Sequence, residues 1–217
     1  MRIAIVDYGS GNLCSAAKAF ERAGQDRRET VEVLVTSQAD IVAGADRVVL
    51  PGVGAFADGM ANLKAKGLDQ AVVASIAAGR PYLGLCLGLQ LLFDESDEHG
   101  RTPGLALLEG RVEKFPDCDA SGADLRVPHI GWNTVQFQGD HPMLAQMPES
   151  DCFYFVHSFR PVGVRPECVA GVTDYGGEFA AAVASGFMFA VQFHPEKSQA
   201  AGKRLLDAYA AWVTTCR

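Results

Sequence analysis

Two short stretches of this chain carry the residue types of nucleophilic catalysis, Gly84-Leu85-Cys86-Leu87-Gly88 and Phe193-His194-Pro195-Glu196. The first follows the apolar run Pro81-Tyr82-Leu83 and precedes Leu89-Gln90-Leu91-Leu92-Phe93, so it reads as a strand, a sharp turn and a helix with a cysteine at the apex. That is the thiol form of the nucleophile elbow, whose flanking glycines relieve crowding where strand and helix meet. A cysteine at a helix N-terminus is favoured as the thiolate, its reactive form, by unpaired amides and the helix dipole. The second stretch ends the strand-like run Phe189–Phe193. Residues two apart in an extended chain share a face, so Glu196 is placed to orient and charge-stabilise the His194 imidazole. A histidine held in this way takes a thiol proton and later returns it to a leaving amine. A buried cysteine in a glycine-rich turn and a structural histidine after a strand explain either piece alone. Together, Cys86, His194 and Glu196 read as a catalytic triad.

The elements that must position them alternate in the first half. Ile3–Asp7, Val31–Val35, Arg47–Leu50 and Pro81–Leu85 are strand-like, while Leu13–Ala23, Phe56–Lys66 and Asp69–Ala78 are helical, with Ala17, Phe20 and Ala23 at helical spacing. Apolar strands alternating with amphipathic helices predict an α/β fold with a mainly parallel central sheet and helices on both faces. The second half is strand-rich: Leu107–Phe115, Val127–Phe137, Cys152–Phe159, Cys168–Thr173, Phe179–Ala184 and Phe187–Phe193, separated by Gly, Pro and Asp. These predict antiparallel additions to one sheet edge. A closing helix is expected from about Gln199 to Thr214, burying Leu205, Leu206, Tyr209, Trp212 and Val213. Asp117–Asp124 is the expected mobile loop, and nothing marks a second domain across residues 1–217.

Composition narrows the function classes. With 48% hydrophobic and 21% charged residues the chain is an ordinary globular protein, and its 217 residues suffice for a sizeable core. A net charge of −7, with no basic run beyond Arg27-Arg28, argues against nucleic-acid or anionic-membrane partners. Cys14, Cys86, Cys118, Cys152, Cys168 and Cys216 are widely spaced without a C-x-x-C, which predicts reduced thiols and no zinc site. The opening strand lacks the pattern of a signal segment, and no apolar run approaches the length of a membrane span. A cytoplasmic location is the expectation.

Six segments carry a family resemblance: Ile5-Val6-Asp7-Tyr8-Gly9-Ser10-Gly11-Asn12-Leu13, Leu50-Pro51-Gly52-Val53-Gly54-Ala55-Phe56, Gly84 to Phe93, Pro128-His129-Ile130-Gly131-Trp132-Asn133, Tyr154-Phe155-Val156-His157-Ser158 and Gln192 to Ser198. In these the chain resembles the class I (triad-type) glutamine amidotransferases, over nearly its whole length and in the family's order. Pro-Gly-Val-Gly-Ala-Phe, His-Ile-Gly-Trp-Asn and the lysine after His-Pro-Glu bring it nearest to the glutaminase subunits of imidazole glycerol phosphate synthases. The resemblance implies a flavodoxin-like fold and hydrolysis of L-glutamine to glutamate and ammonia, without a metal or organic cofactor. It also implies a heterodimer with a (β/α)8-barrel cyclase subunit. That partner would use the ammonia to convert a ribulosyl formimino-carboxamide nucleotide (PRFAR) to imidazole glycerol phosphate and AICAR in histidine biosynthesis.

Residue roles follow on the same terms. An elbow enzyme draws its oxyanion hole from the amide after the nucleophile, here Leu87, and from a second loop. The resemblance makes Gly52 and Val53 that loop, within a Pro51–Gly54 turn flexible enough to hold its amides away until the partner docks. Gln90, one helical turn after Cys86, faces the substrate pocket. By resemblance Gln90 and Glu98, the latter expected to follow the same helix, contact the bound glutamine, Glu98 at its α-amino group. Ser158 and Phe159 present backbone groups to the substrate carboxylate; many relatives carry Tyr where this chain has Phe159. By resemblance His129, Trp132 and Asn133 form a partner-docking surface around the ammonia exit, the plainer reading being a core Trp and a capped turn; Lys197 is implied as an interface ion pair, and Asn12 as a helix-start or interface residue. His99, His141 and His157 are expected to be structural or at the surface. A related glutaminase serving another synthase, or a peptidase-like or non-catalytic protein of the same fold, stays open on sequence alone.

Overall fold

The computed structural model describes residues 1–25 and 31–212; Arg27, Arg28, Val213, Thr214 and Cys216 lie outside the described residues. Its first half runs β1 (Arg2–Val6), α1 (Leu13–Gln25), β2 (Glu32–Thr36), α2 (Ala39–Gly44), β3 (Arg47–Gly52), α3 (Phe56–Ala65), α4 (Leu68–Ala77), β4 (Tyr82–Cys86) and α5 (Leu87–Gln90). The second half runs β5 (Phe93–Ser96), β6 (Thr102–Pro103), β7 (Leu108–Lys114), β8 (His129–Phe137), β9 (Ser150–His157), β10 (Phe159–Val162), β11 (Val169–Asp174), β12 (Glu178–Ser185), β13 (Met188–Val191) and α6 (Gln199–Ala211).

Nine strands form one sheet in the order β2-β1-β3-β4-β13-β12-β11-β8-β9. The pairings from β2 through β13 are parallel, and those from β13 to β9 antiparallel. The mainly parallel centre with antiparallel additions is therefore as the pattern predicted. Alternation along β1 shows how two cores arise: Ile3 and Ile5 pack with Phe20 of α1 and Leu205 of α6, while Ala4 and Val6 pack with Phe56, Leu63 and Val72 of α3 and α4. The buried Tyr209 ring ties α6 to the sheet, its hydroxyl donating to the Val48 carbonyl at 2.8 Å. Leu205, Leu206, Tyr209 and Trp212 are buried as expected.

Three expectations need correction. Leu89–Phe93 does not continue a helix: α5 ends at Gln90 and the chain turns into β5. Residues 87–93 are all buried, so there is no polar face to reveal a period. The carbonyls of Leu91, Leu92 and Phe93 instead accept from the amides of Leu105, Leu107 and Ala106. Leu107–Phe115 does not extend the main sheet; β7 belongs to a second sheet, ordered β10-β7-β5-β6. Cys152–Phe159 is not one strand either. It breaks at Ser158, β9 staying in the large sheet and β10 entering the small one. The short helix α2 carried too brief a pattern to be read. The segment 117–124 lacks regular strands but closes on itself, Leu125 donating to the Asp117 carbonyl and Asp119 to the Ala123 carbonyl.

Candidate active site

β4 and β3 run side by side, with Gly52 opposite Cys86, so the elbow and the Pro51–Gly54 loop emerge together at the C-terminal end of the sheet. Cys86 sits at φ 52°, ψ −105°, a conformation costly for a non-glycine residue and held here by burial on every side. A β-carbon at Gly88 would lie 1.8 Å from the Leu50 carbonyl oxygen, and one at Gly84 would lie 2.5 Å from that of Gly88. Glycine is thus obligatory on both sides of Cys86. Because α5 is a single turn, the macrodipole of a long helix is not available to Cys86; any stabilisation of a thiolate has to come from local groups.

His194 follows β13 and leads into a 3₁₀ turn, Pro195–Lys197. Its amide donates to the Tyr154 carbonyl at 2.9 Å, and its carbonyl accepts from Ser198 Oγ at 2.6 Å, which fixes its backbone against β9. Glu196 Oε1 lies 2.8 Å from His194 Nδ1. The contact comes from the tight turn, not from the extended geometry expected from spacing, since β13 ends at Val191. Nε2 is buried and has no hydrogen-bond partner of ordinary geometry among the described residues. Burial works against a charged imidazole, but the Cys86 sulfur and the Glu196 carboxylate outweigh it and push its pKa up to about 10. A carboxylate, an imidazole and a thiol in this order can move a proton to and from a group bound at the sulfur.

A cleft of about 490 Å³, in the usual size range for a small-molecule site, opens over the sulfur. Val53, Cys86, Leu87, Gln90, Glu98, Ser158 and Phe159 line it, as do Gly54, Ala55, His99, Val156 and His157. His194, Glu196, Gly52 and Asn12 lie around a small neighbouring void, which shares Val53 with the cleft. Sequence reasoning therefore placed most of the residues that converge here. Glu98 reaches the cleft from a loop after β5 and not from a helix; its Oε2 accepts from the Phe56 amide at 2.6 Å, capping α3 from a distance. The carbonyls of Ser158 and Phe159 are engaged, accepting from the Phe115 amide and from Gln90 Nε2, at 3.0 and 3.1 Å. Asn12 is exposed and caps α1, its Oδ1 accepting from the Ser15 amide at 3.2 Å.

The docking residues separate. Trp132 and Lys197 are exposed, Asn133 half-buried. His129 is buried, stacked between Tyr175 and Phe155 at centroid distances of 3.9 and 4.7 Å. Its ring is therefore no part of an outer docking surface, because alternation on β8 turns it inward while Ile130 and Trp132 face out. His157 lies beside it, His129 Nδ1 and His157 Nε2 being 3.0 Å apart. Burial lowers the pKa of His129 to about 4 and that of His157 to about 3. Two residues were missed. Ser10 bonds to Val53 from the Gly-Ser-Gly turn, and Gln192, fully buried, touches the Cys86 sulfur. Gln192 left one signal, a lone amide within the apolar run Phe189–Phe193.

The family model described as Glutamine amidotransferase class-I matches residues 4–209. The chain belongs to the class I glutamine amidotransferase family. This amidotransferase is 50% identical to the imidazole glycerol phosphate synthase subunit HisH of Methylococcus capsulatus, over 97% of this chain and 96% of the relative. It is 49% identical to the HisH subunit of Symbiobacterium thermophilum, over 98% and 94%. Among solved structures, PurLQS from Thermotoga maritima superposes with a TM-score of 0.72 at 18% identity, covering 97% of both chains, a likeness of fold.

Proposed function

We propose that this amidotransferase is the glutaminase subunit of an imidazole glycerol phosphate synthase. It hydrolyses L-glutamine and passes ammonia to a (β/α)8-barrel cyclase subunit that makes imidazole glycerol phosphate and AICAR from PRFAR, in the cytoplasm. The observation that carries this reading is the 50% identity to a HisH subunit over nearly the full length of both chains.

In the proposed chemistry the Cys86 thiolate attacks the γ-carboxamide carbon of glutamine. His194, held as an imidazolium between Cys86 and Glu196, gives its proton to the departing nitrogen, which leaves as ammonia. The resulting thioester is opened by water; His194 takes one water proton, hydroxide adds to the carbonyl carbon, and the carbon–sulfur bond breaks to release glutamate and regenerate the thiolate–imidazolium pair. The Leu87 amide and an amide of the Gly52–Val53 loop stabilise the oxyanion of both tetrahedral intermediates. Gln90 and Glu98 contact the bound substrate, Glu98 at its α-amino group, and backbone groups near Ser158 and Phe159 hold its carboxylate end.

The docking face we assign is the outer side of β8 and β9. Ile130 and Trp132 are 59% and 49% exposed, unusual for such side chains. Trp132 packs edge-on against Tyr154, and Lys197 Nζ lies 5.7 Å from the Tyr154 ring centroid. Val156, on the same strand and face as Tyr154, lines the cleft, so this face is continuous with the site that releases ammonia.

The test is reconstitution. The purified chain is mixed with a cyclase subunit, PRFAR and glutamine, and glutamate and imidazole glycerol phosphate are followed together. Equimolar formation of the two products is the expected result. Glutamate release with no effect of the cyclase or PRFAR would assign the chain to another synthase.

A further inference from the structure

Gln192 lies between the nucleophile and Gln90. Its Nε2 is 3.6 Å from Cys86 Sγ and its Oε1 is 3.1 Å from Gln90 Nε2, with no exposed surface. The direction of both amides follows from a backbone group. The Phe159 carbonyl can only accept, so the Gln90 atom 3.1 Å from it is the NH₂. That same NH₂ meets Gln192, whose facing atom must therefore be the acceptor oxygen. The remaining end of the Gln192 amide, its NH₂, is then the one turned to the sulfur. With its NH₂ consumed on the Phe159 carbonyl and on Gln192, Gln90 is left with its oxygen as the free end of its amide. Gln90 and Glu98 both line the cleft, so this free oxygen and the Glu98 carboxylate form a pair of acceptors.

We propose that Gln192 is a positioning residue of the glutamine site: it fixes Gln90 as an acceptor for a substrate N–H while its own N–H bonds the Cys86 sulfur. The assignment rests on the glutaminase reading above. A neutral N–H donor suits the thiolate, because hydrogen bonds to a charged acceptor are the stronger ones. The same donor is silent toward the thioester intermediate, whose sulfur carries no charge. Gln192 thus favours the form of Cys86 that attacks and is regenerated, and its other end selects for a substrate nitrogen at Gln90.

Two substitutions separate the two ends. Gln192→Met removes both contacts in similar volume; Gln192→Glu keeps an oxygen for Gln90 but sets an oxygen against the sulfur. Iodoacetamide labelling, read at the Cys86 peptide by mass, reports the sulfur contact without substrate, and glutamate release by the chain in complex with its cyclase gives kcat and KM. Labelling of both variants should slow about tenfold, the worth of one hydrogen bond to a charged group. KM for glutamine should rise about tenfold in Gln192→Met and stay within about twofold of the parent in Gln192→Glu. Labelling at the parent rate in both variants overturns the sulfur contact, and an unchanged KM in Gln192→Met overturns the positioning of Gln90. If Gln192→Met does not fold, judged by circular dichroism, labelling of Gln192→Glu decides the sulfur contact, and Gln192→Leu, which also lacks the oxygen, replaces it for KM, an unchanged value again overturning the positioning of Gln90. If the parent complex releases no glutamate, the glutaminase reading fails, while the labelling rates still judge the contact between Gln192 and Cys86.

Discussion

The Val53 amide donates to Ser10 Oγ at 3.0 Å, and the same hydroxyl donates back to the Val53 carbonyl. Both backbone polar groups of Val53 are therefore held by the Gly9-Ser10-Gly11 turn. An amide committed in this way does not serve an oxyanion, and we propose that the loop as folded is one state of a two-state device that a partner shifts. Ser10→Ala removes the latch at the cost of about 1 kcal/mol to the latched state, and glutamate release by the chain alone should rise roughly fivefold. A basal rate equal to that of the parent, with the complex equally active, would show that Ser10 holds nothing back.

The triad makes an ordered series of losses. Cys86→Ala should abolish glutamate release while leaving the complex able to use added ammonia. His194→Ala should cost nearly as much, because groups that act as a unit fail as a unit. Glu196→Gln keeps a partner at 2.8 Å from Nδ1 but loses its charge, and should cost less than either. Steady-state glutamate assays of the three proteins check the order; a Glu196→Gln enzyme weaker than His194→Ala would exchange the proposed roles.

Stability should fall on both sides of neutrality, for different histidines. His129 and His157 are buried as neutral rings with pKa values lowered to about 4 and about 3. An unfolded histidine takes up its proton near pH 6.5, so the unfolded state binds more protons as pH drops through that value. The contribution of these rings is whole above about pH 6.5, and each loses about 1.4 kcal/mol per pH unit below it until its own folded pKa is reached. His194 has the opposite sign. Its folded pKa is raised to about 10, so its contribution is whole below about 6.5 and is lost as pH rises from there toward 10. Urea melts from pH 4 to pH 10 test both limbs. Cys86→Ala, which deletes the larger source of the raised pKa, should flatten the alkaline limb, and an unchanged alkaline slope would separate His194 from the thiol.

Docking should depend on the outward face of β8 and β9. Trp132→Ala is expected to weaken binding of the cyclase subunit by about 2 kcal/mol or more, as loss of an interface tryptophan commonly does. Lys197→Ala should cost about 2–5 kcal/mol if its ion pair is fully covered and much less at the rim. Calorimetric titration measures both, with thermal melts as the folding check. Equal affinity for parent and Trp132→Ala would move the interface elsewhere.

The residue types and their order were legible because local rules govern them. The Gly84–Gly88 elbow, the histidine with its glutamate, and the alternation that builds a parallel sheet with helices on both faces are all written in short spacings. What spacing could not decide depends on partners far apart in the chain. The apolar run Leu87–Phe93 has no polar face, so only the amides of Leu105 to Leu107 reveal that it stops being helical after Gln90. The break at Ser158 exists because β9 and β10 pair with β8 and β7 in different sheets, and it is this break that carries Phe159 to the cleft. Glu98 reached the site from a loop, His129 turned inward by strand alternation, and Gln192 met Cys86 across 106 positions of sequence. Chemistry was set by residue identity. The direction of each hydrogen bond, and the state of the Val53 amide, were set only when the fold brought a fixed backbone carbonyl or hydroxyl within reach.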